Sequence, residues 1–108
     1  MSTSRTRLSF EDALNAGIQF HQAGRLQDAE NIYRQLLAVQ PRHPEVLHLM
    51  GVCAHQKGDH ATAVKLIEAA VDIQPGHPAA HNSLGAVLLA LGQPGEALAA
   101  LQDRKSVV

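Results

Sequence analysis

The chain carries a 34-residue repeat, and no other feature of the sequence limits its fold so tightly. Prolines set the phase: Pro41-Arg42-His43-Pro44 returns as Pro75-Gly76-His77-Pro78. At this shift Gly17, Gly51 and Gly85 align, as do Gly24, Gly58 and Gly92, and Ala29, Ala63 and Ala97. Residues 10–43 and 44–77 share nine identities, and a third copy starts at Pro78. A unit of this length cannot bury a core alone and becomes stable by stacking on its neighbours. The expected organisation is a flexible leader over 1–9, repeats over 10–43 and 44–77, and a third repeat over 78–108, truncated and without a capping helix.

Each repeat reads as two helices. Ala13, Ala16, Gly17 and Phe20 form one apolar stripe at helical spacing, after Ser9 with Asp12 three residues on, which is a helix-start pattern. Gly24 stops that helix, since glycine takes the left-handed cap conformation at no steric cost. Leu26, Ala29, Ile32, Tyr33, Leu36 and Leu37 form the second stripe, and Pro41 closes it. Composition agrees, because Ala and Leu supply 31 residues against 15 for Val, Ile and Thr. The spacing predicts helices at about 10–23, 26–39, 44–57, 60–73, 78–91 and 94–103. A glycine inside a helix costs about 1 kcal/mol against alanine. Three of them one repeat apart imply close helix approach, and Gly17, Gly51 and Gly85 are expected to pack against the helices of Ala29, Ala63 and Ala97. The fold class is therefore all-α, a solenoid of helical hairpins.

Nine basic against ten acidic residues leave a net charge of −1, which gives no basic face for nucleic acid. A single cysteine, Cys53, allows no intrachain disulfide, so a reducing, cytoplasmic setting is expected, with Cys53 as a core-filling thiol. Residues 1–8 lack the apolar run of a secretory signal, and the longest apolar stretch, Ala86 to Leu91, is far short of a membrane span. No enzyme chemistry stands out: Ser83 and His81 do not face each other on one helix, and glycine-rich phosphate loops are absent.

The seven histidines read as polar loop and groove residues. His48 and His55 share a helix face but stand about 10.5 Å apart, too far for one ion, and no cysteine pair or His-Glu-x-x-His spacing exists, so no metal or other cofactor is expected. Joint protonation of all seven would take the net charge from −1 to +6 and predicts a pH-dependent change in binding or assembly; an unchanged sedimentation profile between about pH 7.5 and 5.5 would exclude the change in assembly.

These residues resemble a tetratricopeptide repeat. That family places a small residue inside the first helix (Gly17, Gly51, Gly85) and alanine opposite it in the second (Ala29, Ala63, Ala97). A large side chain follows (Tyr33, Ile67, Leu101), and proline closes the unit (Pro41, Pro75). The likeness covers 10 to about 103. Some places depart from the pattern: Ala13, Leu47 and His81 stand where an early aromatic is usual, Phe20, Ala54 and Leu88 where Tyr is usual, and Arg104 where Ala is usual. The segment Pro78 to Gly85 is similar to bacterial repeat regions, some of which precede glycosyltransferase or sulfotransferase domains.

The resemblance implies a non-catalytic module that holds a peptide or partner protein in a concave groove lined by the first helices. The groove residues it implies are Glu11, Leu14, Asn15, Ile18, His21 and Gln22 from the first repeat, and Glu45, His48, Leu49, Val52, His55 and Gln56 from the second. Ala79, Asn82, Ser83, Ala86, Leu89 and Ala90 follow from the third. Leu14, Ile18, Leu49 and Val52 are expected to be exposed in line, an apolar contact surface. Family members that grip a terminal carboxylate use Lys, Asn and Arg where this chain has Leu14, Ile18, Leu49, Ala79 and Ser83, so that ligand class is not expected. An asparagine row for holding peptide backbone is broken, with Asn15 followed by Leu49 and Ser83 and with Asn82 one place off. Without a closing helix, Leu84, Leu88, Leu91 and Leu98 are expected to lack a neighbour on one side, which predicts self-association, for instance as a dimer that swaps a terminal helix pair. The competing role is a self-assembly or spacer segment of a longer protein such as a bacterial transferase.

Overall fold

Ser9 opens the first helix as its position predicts: its Oγ accepts the Asp12 N–H at 3.0 Å. The computed structural model describes residues 9–92. Over these the chain forms α1 (Phe10–Gln22), α2 (Leu26–Val39), α3 (Pro44–Gln56), α4 (His60–Ile73) and α5 (Pro78–Ala90). The sixth expected helix, at 94–103, lies outside the described residues.

The first helix of each repeat ends one residue earlier than the stripe suggests, at 22, 56 and 90 rather than 23, 57 and 91. The cause is the glycine that follows. Gly24, Gly58 and Gly92 have φ of +81°, +91° and +77°. At the first, the Gly24 N–H donates to the His21 carbonyl at 3.0 Å and the Arg25 N–H to the Phe20 carbonyl at 2.9 Å. Gly58 and Asp59 repeat the pair on His55 and Ala54 at 3.0 and 2.8 Å. This is a Schellman closure, which needs a left-handed residue and satisfies the free carbonyls. The second helices stop instead at Gln40 and Gln74, because each precedes a proline whose ring excludes the helical conformation there.

His43 and His77 are not plain loop histidines. Each is the N-cap of the next helix: His43 Nδ1 accepts the Val46 N–H at 3.3 Å, and His77 Nδ1 accepts the Ala80 N–H at 3.2 Å. Pro44 and Pro78 follow as the first helical residues, where the missing N–H costs nothing. The His43 ring also stacks on Phe10, with centroids 5.0 Å apart.

Successive helices pack in chain order, and α3 also touches α5 directly. Two apolar clusters result. One joins α1, α2 and α3 through Leu14, Ala29, Tyr33, Leu36, Val46 and Cys53. The other joins α3, α4 and α5 through Ala54, Ala63, Ile67, Ala80, Leu84, Val87 and Leu88. Cys53 and Ala54 are adjacent and serve opposite clusters, so α3 is covered on both flanks.

The helix glycines are close-approach points, with one change to the expected partners. A Cβ on Gly17 would lie 2.7 Å from Tyr33 Cε1, and one on Gly51 would lie 2.5 Å from Ile67 Cγ1 and 3.2 Å from the Ala63 carbonyl oxygen. The pairing of helices is as expected, but the large residue one turn beyond the alanine fills the space. Leu84 and Leu88 do not lack neighbours: each is 7% exposed within the second cluster. Leu91 is exposed, and Leu98 and the Gly85 partner Ala97 lie outside the described residues.

Candidate functional site

The face of α1, α3 and α5 holds the residues assigned to a groove. Glu11, Asn15, Gln22, Glu45, Gln56, Ala79, Asn82, Ala86, Leu89 and Ala90 are exposed, and Ile18, His21, Leu49, Val52, His55 and Ser83 are half-buried. Two of the assigned residues are not available at the surface. Leu14 is 5% exposed and belongs to the first cluster, because α3 packs beside α1 and Val46 joins it there. His48 is 8% exposed and bonded within the stack. Ile18 and Leu49 also rest against the first cluster. The expected apolar line is therefore not exposed: Leu14 is buried, Ile18, Leu49 and Val52 are half-buried, and Leu89, at 56% exposure, is the open large apolar residue of the set.

Polar side chains tie the first helices together. His21 Nε2–H donates to Gln56 Oε1 at 2.7 Å, a bond from α1 to α3. That tautomer leaves His21 Nδ1 to accept from the Tyr33 hydroxyl at 3.3 Å. Tyr33 is fully buried, so its hydroxyl needs such a partner. Burial raises the Tyr33 pKa far above its ordinary value, with the negative charges that Cys53 and Glu45 can carry adding to the effect. His48 Nε2 and Ser83 Oγ share a hydrogen bond at 2.8 Å, from α3 to α5, and the His77 ring meets His48 edge-on at 5.2 Å. Burial, and then the nearby His77 and His21, lower the His48 pKa, so the ring is held neutral. Both inter-repeat bonds span 35 residues. That separation, one repeat plus one residue, is the mark these bonds leave in the sequence.

Cys53 is buried, as expected of a core-filling thiol. His21 Nδ1 stands 3.6 Å from its Sγ, yet burial, with help from Glu30, pushes the thiol pKa up to about 11. The thiol is therefore protonated at neutral pH and inert as a nucleophile.

Charge is divided between the faces. The sequences of α1, α3 and α5 contain Glu11, Asp12 and Glu45 and no Lys or Arg. The bases of the described residues lie on α2 and α4 and in the loops, several of them paired. Lys57 joins Gln27 and Glu30, Arg34 meets Glu30 at 3.0 Å, and Arg25 meets Asp28 at 2.7 Å. Among the described residues no group of three His, Cys, Asp or Glu gathers to hold an ion, and no helix is long and apolar enough to cross a membrane.

Comparison with known proteins places this geometry. A search of curated protein sequences finds no match. Among solved structures, MamA superposes with a TM-score of 0.80 at 22% identity, over 86% of this chain and 54% of that one. The chain thus spans about half the length of MamA. The type III secretion translocator chaperone SycD of Yersinia enterocolitica matches with a TM-score of 0.79 at 18% identity, over 87% of this chain and 72% of that one. A second SycD structure, described as an alternative dimer, gives 0.80 at 20% identity, over 87% and 74%. These likenesses concern the fold. The family model for anaphase-promoting complex, cyclosome, subunit 3 matches residues 22–104. The chain belongs to that family, and its repeats are of the tetratricopeptide type.

Proposed function

We propose that the chain is a non-catalytic binding module that holds a peptide or a partner protein along the face of α1, α3 and α5. The observation that carries this reading is the exposed, partly apolar run on that face. Ala86 and Leu89 are exposed and Val52 is half-buried, with no Lys or Arg on the three helices. Monomers seldom leave an apolar patch open without use. SycD is by description a translocator chaperone, which supports a role in holding another polypeptide. The single buried thiol suits a reducing, cytoplasmic setting.

The test is capture of the partner by the wild-type chain and by Val52→Glu and Leu89→Glu variants. These positions are chosen over Leu14 and Leu49 because a charge there leaves the clusters intact. Loss of the partner with an unchanged helical signal supports the reading, and retention in both variants refutes it. A second reading, assembly of identical chains, is favoured by the exposed Leu89 and Leu91 and by the dimer described for SycD. It predicts that Leu89→Glu dissociates an oligomer seen by light scattering.

A further inference from the structure

His55 and His60 face each other across the turn between α3 and α4, with Nδ1 atoms 3.0 Å apart, ring centroids 4.9 Å apart and planes inclined by 52°. Both side chains are half-buried. Two neutral imidazole nitrogens at this distance share one proton, one ring donating its Nδ1–H and the other accepting. The arrangement is bent. Rings pointing straight at each other across 3.0 Å would have centroids about 5.3 Å apart, and rings aimed at one ion about 2.0 Å from each nitrogen would have them about 4.7 Å apart. The observed 4.9 Å is nearer the convergent case. An ion there would subtend an N–M–N angle of about 97°. That is close to the right angle of square-planar or tetragonal coordination and short of the opening that tetrahedral zinc prefers.

We propose that His55 and His60 form a two-imidazole site for a tetragonal divalent transition metal, Cu(II) before Ni(II), which takes the place of the shared proton as the donor ring shifts to its Nε2–H tautomer. The Schellman turn at Gly58 fixes the approach of the two rings. His55 lies in the last turn of α3, whose negative end favours a cation, while the start of α4 opposes one. The Asp59 carboxylate lies between the two histidines in sequence and accepts the Thr62 N–H at 3.2 Å as the cap of α4. Lys57, the nearest cation in sequence, is drawn away to Gln27 and Glu30 of α2. No third protein ligand is gathered among the described residues, so water fills the remaining positions. Protons compete for the same nitrogens, so affinity falls in acid.

The experiment titrates the whole chain with Cu(II), Ni(II) and Zn(II) salts, read by calorimetry and, for Cu(II), by electron paramagnetic resonance. The expected result is one Cu(II) per chain with a Kd below about 100 µM, tighter than Zn(II), with hyperfine coupling to two nitrogens. His55→Gln and His60→Gln each weaken Cu(II) by at least roughly tenfold while circular dichroism stays unchanged. His81→Gln, whose ring bonds the Pro75 carbonyl instead, leaves binding as it was. Absence of saturable binding, retention in both single variants, or equal loss in His81→Gln overturns the site. Should a single variant lose helix, the nitrogen count in the wild-type spectrum decides alone.

Discussion

Gly51 shows how one residue sets the spacing of a helix pair. An added methyl would meet Ile67 Cγ1 at 2.5 Å, so Gly51→Ala trades about 1 kcal/mol of helix propensity for overpacking worth about 1–3 kcal/mol. Net destabilisation is expected in urea unfolding, whereas Gly76→Ala, with open space around it, leaves the midpoint in place. Cys53 makes a second residue-scale prediction. With its pKa pushed up to about 11, the thiol reacts with a disulfide reagent at neutral pH only as fast as the fold opens, and a fast reaction in native buffer would contradict its burial. His48 makes a third. Burial lowers its pKa in the folded state, so the unfolded chain takes the proton first, near the ordinary value of 6.5. Stability is therefore full above that value and falls as pH drops below it. The urea midpoint is expected to fall on acidification from neutral pH, and His48→Gln blunts the fall. The small residues were legible in the sequence because the repeat exposes them. The burial of Leu14 and His48 was not, since it depends on how closely the next repeat's helix lies alongside, which no single-helix pattern encodes.

At the scale of the element, the turn chemistry decides where helices end. The left-handed glycines and the prolines were readable, and the helix bounds follow them within a residue. The histidine caps were not, because the usual capping side chains are short and imidazole is rarely counted among them. His43 and His77 each give Nδ1 to a free N–H at the start of the following helix. His43→Ala is expected to cost about 1 kcal/mol of stability and His43→Asn much less, since asparagine keeps the acceptor. Equal losses in thermal unfolding would mean that stacking on Phe10 is the larger contribution. The His55–His60 contact was equally hidden, for the residues lie five apart across a turn and share no helix face.

For the whole molecule, the stack makes α3 the element that joins both clusters among the described residues, through Cys53 on one side and Ala54 on the other. Amide exchange is expected to be slowest in α3, and faster in α1, which among the described residues packs only into the first cluster. Stacking was legible from the period alone, but the face proposed for binding entered only through resemblance, and its open part is narrower than that resemblance implied. The central claim is that a partner lies on the face of α1, α3 and α5. A photo-crosslinking residue placed in living cells at Val52 or Leu89, and for comparison at Lys65 or Val39 on the second helices, tests it most directly. The account predicts discrete adducts with another polypeptide from Val52 and Leu89 and none from Lys65 or Val39. Adducts from the second-helix positions alone, or from all four alike, would contradict it.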